Sequence, residues 1–296
     1  MNKKIRVAIR KVPVGIIGSG NIGTDLLKKI SRSKYLDCTA FIGRNVRSPG
    51  MQIAASMGVN VSSESISYIE KNPNLCRIIF DATSAKAHQL HAEILKDLSI
   101  KTIDLTPAKV GLMCVPSVNI EDCLNAWNVN VITCGGQASI PIANAISLVH
   151  PNPEYIEVVS TIASRSAGKA TRQNLDEYIH TTEAGISYFS GAKNVKAILN
   201  LNPANPCIDM QTTVFAKVKN PNITKLKFVL DEIILKIKSY VPEYNLILGP
   251  ILDNDRIVVM VKVKGLGDYL PSYAGNLDII NCAAVAMAEK WAEKWA

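Results

Sequence analysis

Residues 18–23 read Gly18-Ser19-Gly20-Asn21-Ile22-Gly23, directly behind the apolar run Val14 to Ile17 and ahead of a helical stretch from Asn21 to Ser31. A buried strand that feeds a helix through Gly-x-Gly-x-x-Gly leaves a chain few choices. The glycines permit a tight turn and let the backbone approach a pyrophosphate, whose charge is stabilised at a helix N-terminus. The helix then returns the chain for a parallel strand. The first half continues in that pattern: Leu36 to Ile42, Ile78 to Asp81, Lys101 to Leu105 and Asn128 to Thr133 read as strands. Helices are predicted over Gly50 to Met57 and from about Ala85 to Leu98. Short apolar strands alternating with helices predict an α/β fold, a Rossmann-type doubly wound parallel sheet covered on both faces.

The pattern then changes. Tyr155 to Ile162, Ala197 to Leu201, Thr212 to Val218 and Ile257 to Val263 read as strands rich in β-branched residues. Helices are expected over Asn174 to about Tyr188 and over Thr224 to Tyr240, with Leu226, Leu230, Ile233, Ile234 and Ile237 at helical spacing. Strands with fewer, longer helices predict an α+β part built on an antiparallel sheet. An Ala-rich helix from Asn276 to the C-terminus, ending in a tandem Glu-Lys-Trp-Ala, is expected to pack back on the first part. The division that follows is 1–133 for the dinucleotide, completed by 277–296, and 134–276 for catalysis and dimerisation.

Cys134 stands in Thr133-Cys134-Gly135-Gly136-Gln137, where a strand is expected to turn through two glycines into a helix running from Ile140 to Val149. Unpaired N–H groups and the positive helix end there favour a thiolate. The other six of the seven cysteines are scattered, odd in total and lack a Cys-x-x-Cys pair, so they read as buried thiols of a reducing compartment. That spacing also excludes a disulfide framework and a structural zinc site, and no metal is expected. The four histidines (88, 91, 150 and 180) fall in no motif and are read as surface or helix-face residues.

Net charge is +8, yet the lysines are dispersed and aromatics make up only 6%, which is not the clustered basic surface of a nucleic-acid binder. An anionic cofactor or simple solubility accounts for the charge. No apolar segment approaches the roughly 20 residues of a membrane span, and Val12 to Ile17 is too short for a signal-peptide core, so a cytoplasmic protein is expected.

Around these motifs several segments have two readings. The acid usually found about 20 residues after the glycines, which holds a ribose, is replaced by Gly43-Arg44-Asn45-Val46-Arg47. Arg44 or Arg47 suits a 2′-phosphate, Asn45 a ribose hydroxyl. Asp81 to Ser84 and Asp104 to Pro107 border a ligand or cap helices. The basic loop Ser164 to Arg172 cradles phosphate or is a solvated loop, and Asn276 touches a ligand or caps the last helix.

Taken together the chain resembles the CoA-acylating acetaldehyde dehydrogenases of aromatic meta-cleavage catabolism. The likeness rests on 18–25, Phe-Asp-Ala-Thr-Ser-Ala (80–85), Asp-Leu-Thr-Pro-Ala (104–108), Thr-Cys-Gly-Gly-Gln-Ala (133–138), Leu-Asn-Pro-Ala (201–204) and Leu-Pro-Ser-Tyr-Ala-Gly-Asn-Leu-Asp-Ile (270–279). It implies a second domain of the glyceraldehyde-phosphate or semialdehyde dehydrogenase type, with NAD as cofactor and CoA as co-substrate. It also implies a partner, 4-hydroxy-2-oxovalerate aldolase, that channels acetaldehyde to a homodimer within a heterotetramer. On this resemblance Cys134 forms an acyl thioester. Gly18, Ser19, Gly20, Asn21, Ile22, Gly23, Ser166, Ala167, Gly168, Lys169, Ala170, Thr171, Arg172, Gln173, Asn174 and Asn276 hold the nucleotide. The position that the resemblance gives to a catalytic-site aspartate is Thr212, with Asp209 three residues away. The alternatives are a phosphorylating semialdehyde dehydrogenase and a non-catalytic NAD-binding subunit of an aldolase complex.

Overall fold

The computed structural model of the chain describes residues 10–168, 172 and 174–295. The first half runs β1 (Val12–Ile17), α1 (Asn21–Ser31), β2 (Leu36–Ile42), α2 (Pro49–Ser56), β3 (Asn60–Ser62), α3 (Ser67–Lys71), β4 (Ile78–Asp81) and α4 (Ala85–Asp97). It continues with β5 (Lys101–Asp104), β6 (Leu112–Met113), α5 (Pro116–Asn119) and β7 (Asn128–Asn130). These strands form one seven-stranded sheet in the order β3-β2-β1-β4-β5-β7-β6. Every pair in it is parallel. The strand order reverses between β1 and β4, and a crevice opens at such a point beyond the carboxyl ends of the strands. Strand β7 ends three residues before the expected Thr133, because Ile132 turns into the left-handed region at φ 65°.

The second half runs α6 (Cys134–Val149), β8 (Tyr155–Ala163), a 3-10 turn (Ser164–Ser166), α7 (Leu175–Ser190), β9 (Asn194–Asn202) and β10 (Met210–Lys217). Then come α8 (Ile223–Lys238), β11 (Tyr244–Asp253), β12 (Arg256–Val263) and α9 (Gly275–Trp295). The expected antiparallel sheet is a mixed one, ordered β11-β12-β10-β8-β9, with β8 and β9 parallel and the other pairs antiparallel. The reason is α7. A helix of 16 residues between β8 and β9 carries the chain back to the starting end, so the next strand must run in the same direction.

Helix α6 packs on β8, β10 and β12 of this sheet and beside α7 and α8, and is buried along almost all its length, as its Ala- and Ile-rich sequence allows. Helix α8 buries Leu226, Leu230, Ile233, Ile234 and Ile237 against this layer. Among the described residues no helix is long and apolar enough to cross a membrane.

Candidate active site

The carboxyl ends of β1, β2 and β4 enclose a cleft of about 750 Å³ lined by Gly18, Ser19, Gly20, Arg44, Asn45 and Thr83, with His91 behind them. Its floor explains the glycines. Gly18 has φ +118°, and a Cβ there would lie 2.5 Å from the Ala82 carbonyl oxygen. At Gly23 a Cβ would lie 1.8 Å from the Gly18 carbonyl oxygen, so α1 can pack this close to β1 only without one. Gly20 differs: among the described residues nothing lies within 4 Å of where its Cβ would be, and space is left beside the first turn of α1. That open, N–H-lined turn is what a pyrophosphate requires. Arg44 and Asn45 both line the cleft, in the place where a ribose-binding acid was missing from the sequence. Ser84 satisfies both of its readings: it lines the cleft, and its hydroxyl accepts from the Ala87 N–H to cap α4.

Below the cleft lies a buried polar network that sequence reasoning missed. Asp81 accepts from His88 Nδ1 at 2.9 Å and His91 Nδ1 at 2.8 Å, and both histidines are buried rather than on the surface. Burial alone would raise the Asp81 pKa, but the two histidines and the Thr83 hydroxyl hold it well below the usual carboxylate range. Burial lowers the His88 pKa, and Asp81 and Asp104 more than reverse that, so it ends above the ordinary value. Burial pushes Asp104 up to about 6 against the pull of His88, Thr106 and Asn130. His150 is buried as well and its Nε2 accepts from the Asn222 N–H at 2.8 Å, whereas His180 is exposed. The Asp–His spacings, 7 and 10 residues across a strand-to-helix turn, match no local period, which is why these contacts were not legible in the sequence.

Cys134 emerges from the same sheet edge, after β7, three strands along from β1. At about 4.8 Å per strand this places the two turns some 14 Å apart. The cysteine is the first residue of α6, so Gly135 and Gly136 lie inside the first helical turn and not in a loop before it. Thr133 caps that turn, its Oγ1 accepting from the Gly136 N–H at 2.9 Å. The glycines are there for close packing. A Cβ on Gly135 would lie 2.2 Å from the Tyr178 hydroxyl, and one on Gly136 would lie 3.0 Å from Ile132 Cγ2.

Tyr178, on α7, is the thiol's neighbour: its Oη lies 3.6 Å from Cys134 Sγ and accepts from the Gly135 N–H at 3.0 Å. Burial raises the Cys134 pKa above its ordinary value, opposed by the Tyr178 hydroxyl and the Gly135 N–H. The expected thiolate stabilisation by the helix end is therefore outweighed by desolvation in the free protein. Behind Tyr178 stand Ser160 and Thr212, whose hydroxyls are 3.0 Å apart. The predicted carboxylate position is thus a buried hydroxyl, and Asp209 lies 4.0 Å from Lys262 Nζ.

Of the other predicted site residues, Ser166 is buried and donates to the Ala163 carbonyl at 2.8 Å. Ala167 is buried beside it, and among the described residues nothing lies within 4 Å of where a Gly168 Cβ would be. Arg172 folds back on this loop, donating from Nε to Ala167 O at 3.1 Å and from Nη2 to Ser164 O at 2.8 Å. Asn174 precedes α7, its carbonyl accepting from the Tyr178 N–H at 3.0 Å. Lys169, Ala170, Thr171 and Gln173 lie outside the described residues. Asn276 is buried in the first turn of α9, and its Oδ1 has no hydrogen-bond partner among the described residues.

Residues 134–271 match the family described as prokaryotic acetaldehyde dehydrogenase, dimerisation, and residues 13–126 match the semialdehyde dehydrogenase NAD-binding domain. An acetaldehyde dehydrogenase of Spirochaeta aurantia is 60% identical over 97% of each chain. One of Pectobacterium atrosepticum is 58% identical over 95% of each, and one of Geobacillus stearothermophilus 50% identical over 96% of this chain and 97% of that one. Among solved structures, aspartate semialdehyde dehydrogenase II of Vibrio cholerae superposes with a TM-score of 0.65 at 14% identity, covering 97% of this chain and all of that one. The last likeness is one of fold.

Proposed function

The chain belongs to the acetaldehyde dehydrogenase family, and from that premise we propose that it converts acetaldehyde or another short aldehyde to an acyl-CoA through a thioester on Cys134. It is an NAD-dependent aldehyde dehydrogenase. The observation that carries the finer reading is a half-buried thiol at the first residue of α6, on the sheet edge that also bears the glycine-lined cleft.

Cys134 Sγ, deprotonated, attacks the aldehyde carbonyl carbon, and the S–C bond gives a hemithioacetal. The hydride on this carbon would leave to the nicotinamide that a bound NAD would supply. The product on the enzyme is an acyl thioester. The CoA thiol gives up its proton to solvent and adds to the same carbon, and Cys134 leaves as the thiolate, so the energy of oxidation is retained as acyl-CoA. Gly18 to Gly23 would hold the pyrophosphate, and Arg44 and Asn45, which line the same cleft, would take the ribose. The fit is supported by the open side of Gly20 and by the unpartnered Oδ1 of Asn276, an acceptor waiting for an amide or hydroxyl donor. Ser166 to Asn174 complete the nucleotide contacts. In this reading 1–133 with 277–296 carry the dinucleotide, and 134–276 carry the thiol and the dimer contact.

The partner we assign is 4-hydroxy-2-oxovalerate aldolase, which would pass acetaldehyde to the homodimer within a heterotetramer. A mostly apolar cavity of about 280 Å³ supports this, lined by Leu112, Met113, Asn130, Thr181, Ala184 and Tyr188 along the helix that bears Tyr178.

The test is the rise in absorbance of reduced nicotinamide from acetaldehyde and NAD, with CoA, with phosphate and with neither. We expect a CoA-dependent rise that Cys134→Ala lowers by about a thousandfold or more. Phosphate dependence would instead favour the phosphorylating chemistry. Intact NAD binding with no turnover under any condition would identify a nucleotide-binding subunit.

A further inference from the structure

Three donors and acceptors meet at one phenol. The Tyr178 oxygen accepts from the Gly135 N–H at 3.0 Å. The Ser160 hydroxyl stands beside it: a Cβ on Gly135 would lie 2.2 Å from the Tyr178 hydroxyl and 3.1 Å from Ser160 Oγ, and a hydrogen bond from Ser160 would take the second lone pair. Ser160 in turn lies 3.0 Å from the Thr212 hydroxyl, which is buried with it between β8 and β10. A phenol oxygen has two lone pairs and one proton. Cys134 Sγ lies 3.6 Å away and, as a neutral thiol, donates to the phenol oxygen; once the thiol has lost its proton, the phenol O–H is the group left to donate to the sulfur. The hydroxyls then run in one direction, Thr212 to Ser160 to Tyr178 to sulfur, each donation strengthening the next.

We propose that Tyr178 is a catalytic residue of this site: its hydroxyl, aimed by Gly135 and Ser160, donates to Cys134 Sγ and stabilises the attacking thiolate. This rests on the reading of Cys134 as nucleophile and adds to it the group that makes a desolvated thiol usable. Burial and the adjacent sulfur push the phenol well above its ordinary pKa, so it keeps the proton it must donate. Tyr178 from α7 is the titratable side chain acting on the thiol, and the other contributions come from the Gly135 and Cys134 backbone. The need for glycine at 135 follows from the same geometry, since any side chain there would occupy the place of the hydroxyl.

The experiment is the pH dependence of Cys134 alkylation by iodoacetamide in the full chain, read at the Cys134 peptide by mass spectrometry so that the other thiols do not contribute. Tyr178→Phe keeps the ring and removes the donor. Its alkylation midpoint should rise by about one pH unit, equivalent to a tenfold smaller thiolate fraction at neutral pH. kcat/KM should fall by a similar factor, with NAD affinity unchanged. Ser160→Ala, which leaves the tyrosine in place, should raise the midpoint by a smaller amount, and it carries the test if Tyr178→Phe does not fold. An unchanged or lowered midpoint in a folded variant overturns the proposal. Full turnover by Cys134→Ala would overturn the nucleophile reading instead, and the two failures are therefore distinguishable.

Discussion

At the scale of single residues, the position of the thiol depends on a strained neighbour. Ile132 is β-branched and sits at φ 65°, a conformation that costs such residues on the order of 1–3 kcal/mol. Asn130 offsets that cost. Its Oδ1 accepts from the Ile132 N–H at 2.8 Å, while its Nδ2 donates to Asp104 Oδ2 and to Thr106 O, both at 2.7 Å. The turn thus fixed delivers Thr133 as the cap of α6 and Cys134 as its first residue. Replacing Asn130 with alanine removes three hydrogen bonds and leaves the buried Asp104 with one donor fewer. We expect Asn130→Ala to lower stability by about 2–4 kcal/mol. Urea denaturation checks this, and Cys134 alkylation should change with it. A loss under half a kcal/mol would mean that packing of Ile132 alone holds the turn.

At the scale of elements, the three glycines of the first turn are not equivalent, and two substitutions separate their roles. Gly23→Ala drives a methyl into the Gly18 carbonyl, so α1 must shift off β1 and the fold should lose stability. Gly20→Ala meets nothing in the free protein and should leave the melting temperature nearly unchanged. It fills the space left for a pyrophosphate, however, and NAD affinity should drop by tenfold or more, which calorimetric titration would read. Equal, small effects of Gly20→Ala on both would place the nucleotide elsewhere.

This region was legible in the sequence because its signals are local: α1, β2 and β4 come out at the residues expected, each a short apolar run bounded by turn residues. Other elements were hidden for identifiable reasons. β11 carries Gly249-Pro250, a turn signal, and the strand absorbs it in irregular pairing with β12. The first turn of α6 holds two glycines, both poor helix formers, which is why the sequence pattern places the start of this helix at Ile140. Tyr178 is 44 residues from the thiol it touches, and no spacing announces that.

At the scale of the whole molecule, the C-terminal helix must be fixed to the nucleotide half if Asn276 is to serve it, and a buried lysine makes that join. Lys29 on α1 reaches Asp25 at 3.1 Å, Asp268 at 2.7 Å and Asp278 at 2.6 Å, and Arg32 pairs with Asp268 as well. Asn281 on α9 donates to Asp25 at 2.8 Å, and Trp291 farther along donates to the Cys123 carbonyl. The three carboxylates lie within 4.8 Å of one another, Asp25 and Asp278 buried and Asp268 partly so, and the ammonium between them is the charge that allows them to stand together. Taking one partner from a buried ion pair costs far more than the pair contributes, because the remaining charge stays desolvated. Lys29→Met should therefore lower stability by about 3–5 kcal/mol, whereas Asp268→Asn, which leaves Lys29 with Asp25 and Asp278, should cost about 1 kcal/mol. Urea denaturation measures both. Because the loss falls on the contact between α1 and α9, Lys29→Met should also weaken NAD binding in protein that is still folded. Unchanged NAD affinity in that variant would show that the last helix holds its place through its apolar face alone.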